Sequence, residues 1–162
     1  MAAIQKIMAN LWFDSVAEEA VNFYVSIFKN ASVGKISRYG KEGFEFHKKV
    51  EGTIMVMEFE LEGQKFLALN AGPEFKFTEA ISFVVNCETQ EEIDYYWDRL
   101  TKGGDDEAQQ CGWLKDKFGV SWQIVPTILG EIMSGSDQEQ ISKTMNAMFQ
   151  MKKLDIEKLK NG

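Results

Sequence analysis

The sequence predicts an α+β protein of two repeated βαβββ modules, whose strands form a curved mixed sheet around a cavity, followed by C-terminal helices. Three observations predict it. The order strand, helix, strand, strand, strand is read twice, and Glu18-Glu-Ala-Val-Asn-Phe-Tyr24 falls on Glu91-Glu-Ile-Asp-Tyr-Tyr-Trp97 at a constant offset of 73 residues. Each copy ends in a hairpin, 53–61 with 64–70 and 111–117 with 120–125. After Pro126 the composition changes to helical spacing. The expected organisation is a first module over 1–73, a second over 74–126 and a helical extension over 127–162, forming one structural unit.

In order, Ile7-Met-Ala-Asn-Leu-Trp-Phe13 reads as a buried strand ending at Asp14-Ser15. Ala17, Ala20, Val21, Tyr24 and Phe28 recur at three- and four-residue spacing, with Glu18 and Glu19 where carboxylates suit a helix start. Residues 32–39 read as a strand, and 40–49 as a mobile, glycine-containing connection carrying the sole histidine, His47. Strands over 53–61 and 64–70 are joined by Glu62-Gly63, a tight-turn signal. The second copy begins with an apolar strand over 80–87. Thr89 caps a helix running to about 101, which stops at Gly103-Gly104. Helices over 127–133 and 138–153 follow, the second started by Ser136-Asp137, with a last turn over 154–160. Ile141, Met145, Met148 and Met151 share one face, which suits packing on the sheet module or on another subunit.

Composition excludes several classes. Hydrophobic residues at 44%, aromatics at 12% and two prolines make a globular chain, not a linker. A net charge of -7 argues against nucleic-acid partners and acidic membranes, because phosphate binding draws on clustered Lys and Arg. Cys87 and Cys111 are too few for a disulfide framework, and no apolar run is long enough to span a bilayer. Residues 1–6 lack the charged start and apolar centre of a secretion signal, so the expectation is a cytoplasmic protein with reduced thiols.

The hairpin around Gly119 is the richest stretch. Side chains alternate along a strand, so Ser121, Gln123 and Val125 point one way and Val120, Trp122 and Ile124 the other. The Trp122 face is expected under a helix; the Gln123 face either lines a cavity or meets water. Trp12, Trp113, Trp122, Phe83 and Phe44 are enough to clothe a cavity for a planar or apolar ligand, or to form plain core. Hydrolytic machinery is absent from the pattern, since the one histidine sits in a loop and no sharp Gly-x-Ser-x-Gly turn occurs.

Asn10-Leu-Trp-Phe-Asp14, Glu18-Glu-Ala-Val-Asn-Phe-Tyr24, Phe66-Leu-Ala-Leu-Asn-Ala-Gly72 and above all Cys111-Gly-Trp-Leu-Lys-Asp-Lys-Phe-Gly-Val-Ser-Trp-Gln-Ile-Val-Pro126 closely resemble the PhnB-like branch of the vicinal oxygen chelate superfamily. That superfamily also holds glyoxalase I, extradiol dioxygenases and bleomycin-resistance proteins. The resemblance spans nearly the whole chain, and residues 115–126 are its most specific part. It implies paired βαβββ modules and a homodimer. The active enzymes hold a divalent metal with His and Glu from the first and last strands of the modules. Here Gln123 matches the carboxylate position of the last strand and Asn70 stands as its counterpart in the first module, both uncharged amides; the two first strands contain no His. A lone His47 cannot make a site. The resemblance therefore implies a degenerate metal site and no cofactor, with a divalent metal disfavoured. Some members carry the label demethylubiquinone methyltransferase, but the glycine-rich strand-to-helix turn that a methyl donor requires is missing.

The expectation is a small-molecule-binding protein whose cavity is lined by candidates Trp12, His47, Asn70, Phe83, Trp113, Ser121 and Gln123. The alternatives are a metal-dependent lyase, isomerase or dioxygenase, the labelled methyltransferase, and a dimeric interaction module with a filled core.

Overall fold

The first four strands of the chain make one sheet. The computed structural model describes residues 4–162, so the first three residues of the segment read above as lacking a secretion signal lie outside it. The chain divides into two units, one ending at Lys76 and one beginning at Phe77.

The first unit comprises β1 (Ala9–Phe13), α1 (Ala17–Ile27), β2 (Ala31–Arg38), α2 (Phe44–His47), β3 (Ile54–Leu61) and β4 (Gln64–Asn70). Its sheet order is β1-β4-β3-β2, with β1 parallel to β4 and the other pairs antiparallel. The buried stripe Ala17, Ala20, Val21, Tyr24 and Ile27 lays α1 on the sheet face that carries Leu11, Phe13, Met57, Phe59 and Ala68. Tyr24 stacks on Phe59 with ring centroids 6.1 Å apart. The helix has no side-chain cap beside it in sequence. Instead the Ala17 N–H donates to Asn70 Oδ1 at 2.9 Å, and Asn70 Nδ2 donates to the Ile54 carbonyl at 3.1 Å. One amide thus ties the start of α1 to β3 and β4. The connection over 40–49, expected as a loop, contains the single helical turn α2.

The second unit comprises β5 (Phe83–Cys87), α3 (Gln90–Leu100), a 3₁₀ turn at Asp106–Ala108, β6 (Trp113–Lys115), β7 (Ser121–Pro126), α4 (Thr127–Met133), α5 (Gln138–Phe149) and α6 (Ile156–Asn161). Helices α1 and α3 are each 11 residues long and begin 73 apart, as the repeat requires. Thr89 Oγ1 accepts from the Glu92 N–H at 3.2 Å and caps α3. The sheet order β5-β7-β6 repeats the parallel pairing of first and last strands, but it has three strands where the first unit has four. In place of the second strand runs Gly103-Gly-Asp-Asp106, poor in strand-forming residues, into a turn started by the Asp105 carboxylate; its pairing with β6 is one hydrogen bond, from the Asp105 N–H to the Lys115 carbonyl, and one bridge, Gln110 to Trp113.

The C-terminal segment docks on this unit through backbone groups. The N–H groups of Cys111 and Gly112 donate to the carbonyls of Met151 and Lys152 at 2.9 and 2.8 Å. Gly112 has φ +84°, and a Cβ there would stand 2.9 Å from the Ile124 carbonyl oxygen and 3.0 Å from Leu154 Cδ1, so both conformation and space demand glycine. Gln90 donates to the Leu154 carbonyl and accepts from the Ile156 N–H, and Lys153 pairs with Asp94 at 2.9 Å. Leu154, Leu159 and Thr144 are buried, and the Thr144 hydroxyl donates to the Leu159 carbonyl, joining α5 to α6. The methionine stripe is half-buried; the buried residue of α5 is Thr144.

Candidate functional site

The β6–β7 hairpin is organised by a carboxylate that the sequence reading passed over. Asp116 is buried, and its Oδ1 accepts from the N–H groups of Phe118 and Val120 at 2.8 and 3.1 Å. Its Oδ2 accepts from Trp122 Nε1 at 2.9 Å. Gly119, at φ +88°, supplies the left-handed residue that lets the chain fold back around that carboxylate. The signal that could have found it is an Asp three residues before a glycine between two strands, the pattern of an Asx turn.

With Trp122 held this way, strand alternation fixes both faces. Trp122 and Ile124 are buried on the α3 side, as expected. Phe83 pairs with Trp122 in the parallel register, their rings 5.4 Å apart, so Phe83 belongs to that packed face and not to the Gln123 face. Gln123 pairs with Val84 on one side and Trp113 on the other, which puts these side chains on the opposite face. Gln123 Nε2 donates to Ser82 Oγ at 2.9 Å. Ser121 shares this face; it is buried, and among the described residues its hydroxyl alone is a buried side-chain polar atom without a hydrogen-bond partner. An open cleft of about 570 Å³ lies here, lined in the module by Gln110, Cys111, Trp113, Gln123 and Val125 and bounded by side chains of the C-terminal segment. No charged side chain lines it.

The other candidates lie in the first unit. Asn70 pairs with Phe13 on the face beneath α1, and its amide is engaged in capping that helix; register parity gives it the opposite sheet face from that of Gln123 in its own unit. Trp12 lies half-buried on the face away from α1, its Nε1 donating to the Gly72 carbonyl at 2.8 Å and its ring edge-on to Phe75. His47 is occupied by its own loop. Its Nδ1 accepts from the Lys49 N–H at 2.8 Å, so Nε2 carries the hydrogen and donates to the Glu42 carbonyl at 3.1 Å. Beside it Tyr39 donates to the Asn70 carbonyl at 2.6 Å, and burial raises the pKa of that phenol. Of the seven candidates, Trp113, Ser121 and Gln123 share one face.

A divalent ion needs converging imidazoles and carboxylates. Among the described residues no three His, Cys, Asp or Glu side chains gather where they could share one. At the cleft two amides and a thiol among apolar groups do not fit such an ion. Charge pairing in this unit lies outside the cleft; Lys115 pairs with the exposed Glu79 and holds its carboxyl below the usual range.

Two mixed α/β units with parallel first and last strands, and an extension of helices, define a glyoxalase/bleomycin-resistance-like α+β protein. The chain belongs to the 3-demethylubiquinone-9 3-methyltransferase family, the PhnB-like branch of the vicinal oxygen chelate superfamily: the family model matches residues 5–125. A PhnB protein from Bacillus cereus is 39% identical, with 76% of this chain covering 100% of that one at a TM-score of 0.65. Protein PA1353 from Pseudomonas aeruginosa, 18% identical, shares the fold at a TM-score of 0.60 over 76% of this chain and 98% of that one. The fosfomycin resistance protein FosX from Mesorhizobium loti, 12% identical, does so at 0.52 over 86% and 99%. No curated protein matches this chain. Among the described residues no helix is long and apolar enough to cross a membrane.

Proposed function

We propose that this chain is a small-molecule-binding protein that holds an uncharged ligand on the Gln123 face of its second unit without a catalytic metal. The observation that carries the reading is the cleft itself: about 570 Å³, within the size range of ligand pockets, with the Gln123 amide set among Trp113 and Val125 and no charged group in its lining. Gln123 Nε2 has one hydrogen engaged by Ser82, leaving its second hydrogen and Oε1 for a ligand. The degenerate metal site follows from the donor set. Methyl transfer does not follow from the family's label, because the turns from first strand to long helix in each unit, Asp14-Ser-Val16 and Glu88-Thr89, contain no glycine to cradle a nucleotide-like donor. We also propose a homodimer, since Val33, Ile36 and Ile81 are exposed at 40%, 44% and 74%; sedimentation as monomer alone at micromolar concentration contradicts it.

The test of the binding reading compares two neighbours on one strand in a thermal-shift screen of neutral aromatic compounds. Gln123→Ala keeps the fold and weakens binding of the hits, by about 1 to 3 kcal/mol where a polar group is left unpaired. Trp122→Ala destabilises the protein by about 3 to 5 kcal/mol, the cost of emptying a buried aromatic site. Hits that bind Gln123→Ala as tightly as the natural protein, or near-equimolar zinc, iron or nickel surviving dialysis, contradict the reading.

A further inference from the structure

The cleft at Gln123 is not built by the family's module alone. The family model ends at residue 125, and three side chains of the lining, Leu129, Met148 and Phe149, come from beyond it. Leu129 sits on α4, directly after β7, and Met148 and Phe149 end α5. The end of α5 is fixed by groups next to the cleft: Gln110 Nε2 donates to the Phe149 carbonyl at 2.9 Å, and the Cys111 and Gly112 N–H groups hold the carbonyls of Met151 and Lys152. A large apolar side chain whose own carbonyl is held by Gln110 and whose chain is anchored again two and three residues on, yet 54% exposed as Phe149 is, lacks a partner that its position invites.

We infer that the C-terminal helical extension is the specificity-determining wall of this site, and that it selects a neutral, largely apolar, aromatic-sized molecule carrying one polar group for Gln123. This rests on the binding reading above and deepens it. The module contributes the hydrogen-bonding floor of Gln123 and the Trp113 ring. The extension contributes three flexible or aromatic apolar groups and no charge, so a charged ligand would lose its hydration there without a counter-ion. A second polar feature lies on the same sheet face, where the unpartnered hydroxyl of Ser121 stands two residues before Gln123.

The experiment measures binding of N-phenyl-1-naphthylamine, a neutral aromatic fluorophore with one N–H, to the full chain and to Leu129→Ala, Phe149→Ala, Trp113→Ala and Phe46→Ala. Melting temperature is followed to confirm folding. Phe46 is 85% exposed in the first unit and controls for adsorption to any surface aromatic. The expected result is saturable binding to the natural chain, a Kd raised about tenfold in both wall variants, and no change in Phe46→Ala. Wall variants that bind as the natural chain does, while Trp113→Ala weakens, overturn the inference and leave the binding reading standing. Absence of saturable binding by the natural chain, or equal weakening in every variant including Phe46→Ala, overturns both.

Discussion

Replacing Asp116 by Ala removes the acceptor of three N–H groups at once. Two of those bonds, to the Val120 backbone and the Trp122 indole, are buried. Each buried donor stripped of its acceptor costs about 1 to 3 kcal/mol, so the pair predicts a loss of about 4 kcal/mol, with the Phe118 bond in the partly exposed turn adding less. For a chain of 162 residues that corresponds to a fall of about 8 to 16 °C in melting temperature. Asp116→Asn keeps an acceptor oxygen but cannot serve both sides of the turn, and is expected to lose about half as much. The assay is urea unfolding followed by tryptophan fluorescence, since Trp122 itself reports the hairpin. If Asp116→Ala costs less than about 1 kcal/mol, the carboxylate does not organise the hairpin, and the face assignment of Gln123 loses its support.

Three further outcomes are expected. Asn70→Ala should destabilise the chain by about 1 to 3 kcal/mol through the lost cap of α1 while leaving cleft affinity unchanged, and a change in affinity alone would restore Asn70 to the site. The Lys153–Asp94 pair should stabilise the docked C-terminal segment only between two limits. Hydrogen bonding to Lys153, with help from Gln90, lowers the Asp94 pKa below its ordinary 3.8, so that contribution is present above the ordinary value and lost as pH falls through the lowered one; hydrogen bonding to Asp94 raises the Lys153 pKa above 10.5, so that contribution is present below the ordinary value and lost as pH rises through the raised one. The difference in urea midpoint between the natural protein and Lys153→Met should therefore be flat in between and shrink at both ends, and an unchanging difference would remove the pair from the account. Burial, with the nearby Glu92 charge, pushes the Cys87 thiol up to about 12, so Ellman's reagent at neutral pH should titrate Cys111 in the native protein and both thiols only after unfolding.

Much of the fold was legible because it rests on local periodicity. The alternation of Ser121 to Val125 placed Trp122 beneath a helix, and the 73-residue offset reproduced α1 in α3 to the residue. What failed to read was long-range. Asn70 and Gln123 are both amides on last strands, yet register gives them opposite faces of their own sheets, and no local pattern states register. Phe83 carries no mark distinguishing core from cavity until its pairing with Trp122 is known. Asp116 in a lysine-flanked turn reads as surface charge, although three donors converge on it. The part of the wall formed by Met148 and Phe149 depends on backbone bonds from Cys111 and Gly112, some 40 residues away, to Met151 and Lys152, for which the only sequence trace is a glycine that admits no Cβ.

The most direct measurement is a crystal structure of the full chain soaked with N-phenyl-1-naphthylamine. The account predicts density in the second unit against Trp113, Val125 and Phe149, with the ligand nitrogen within hydrogen-bond reach of the Gln123 amide and no metal ion beside it. A cleft filled by the protein's own side chains, or density only on other surfaces, would contradict it.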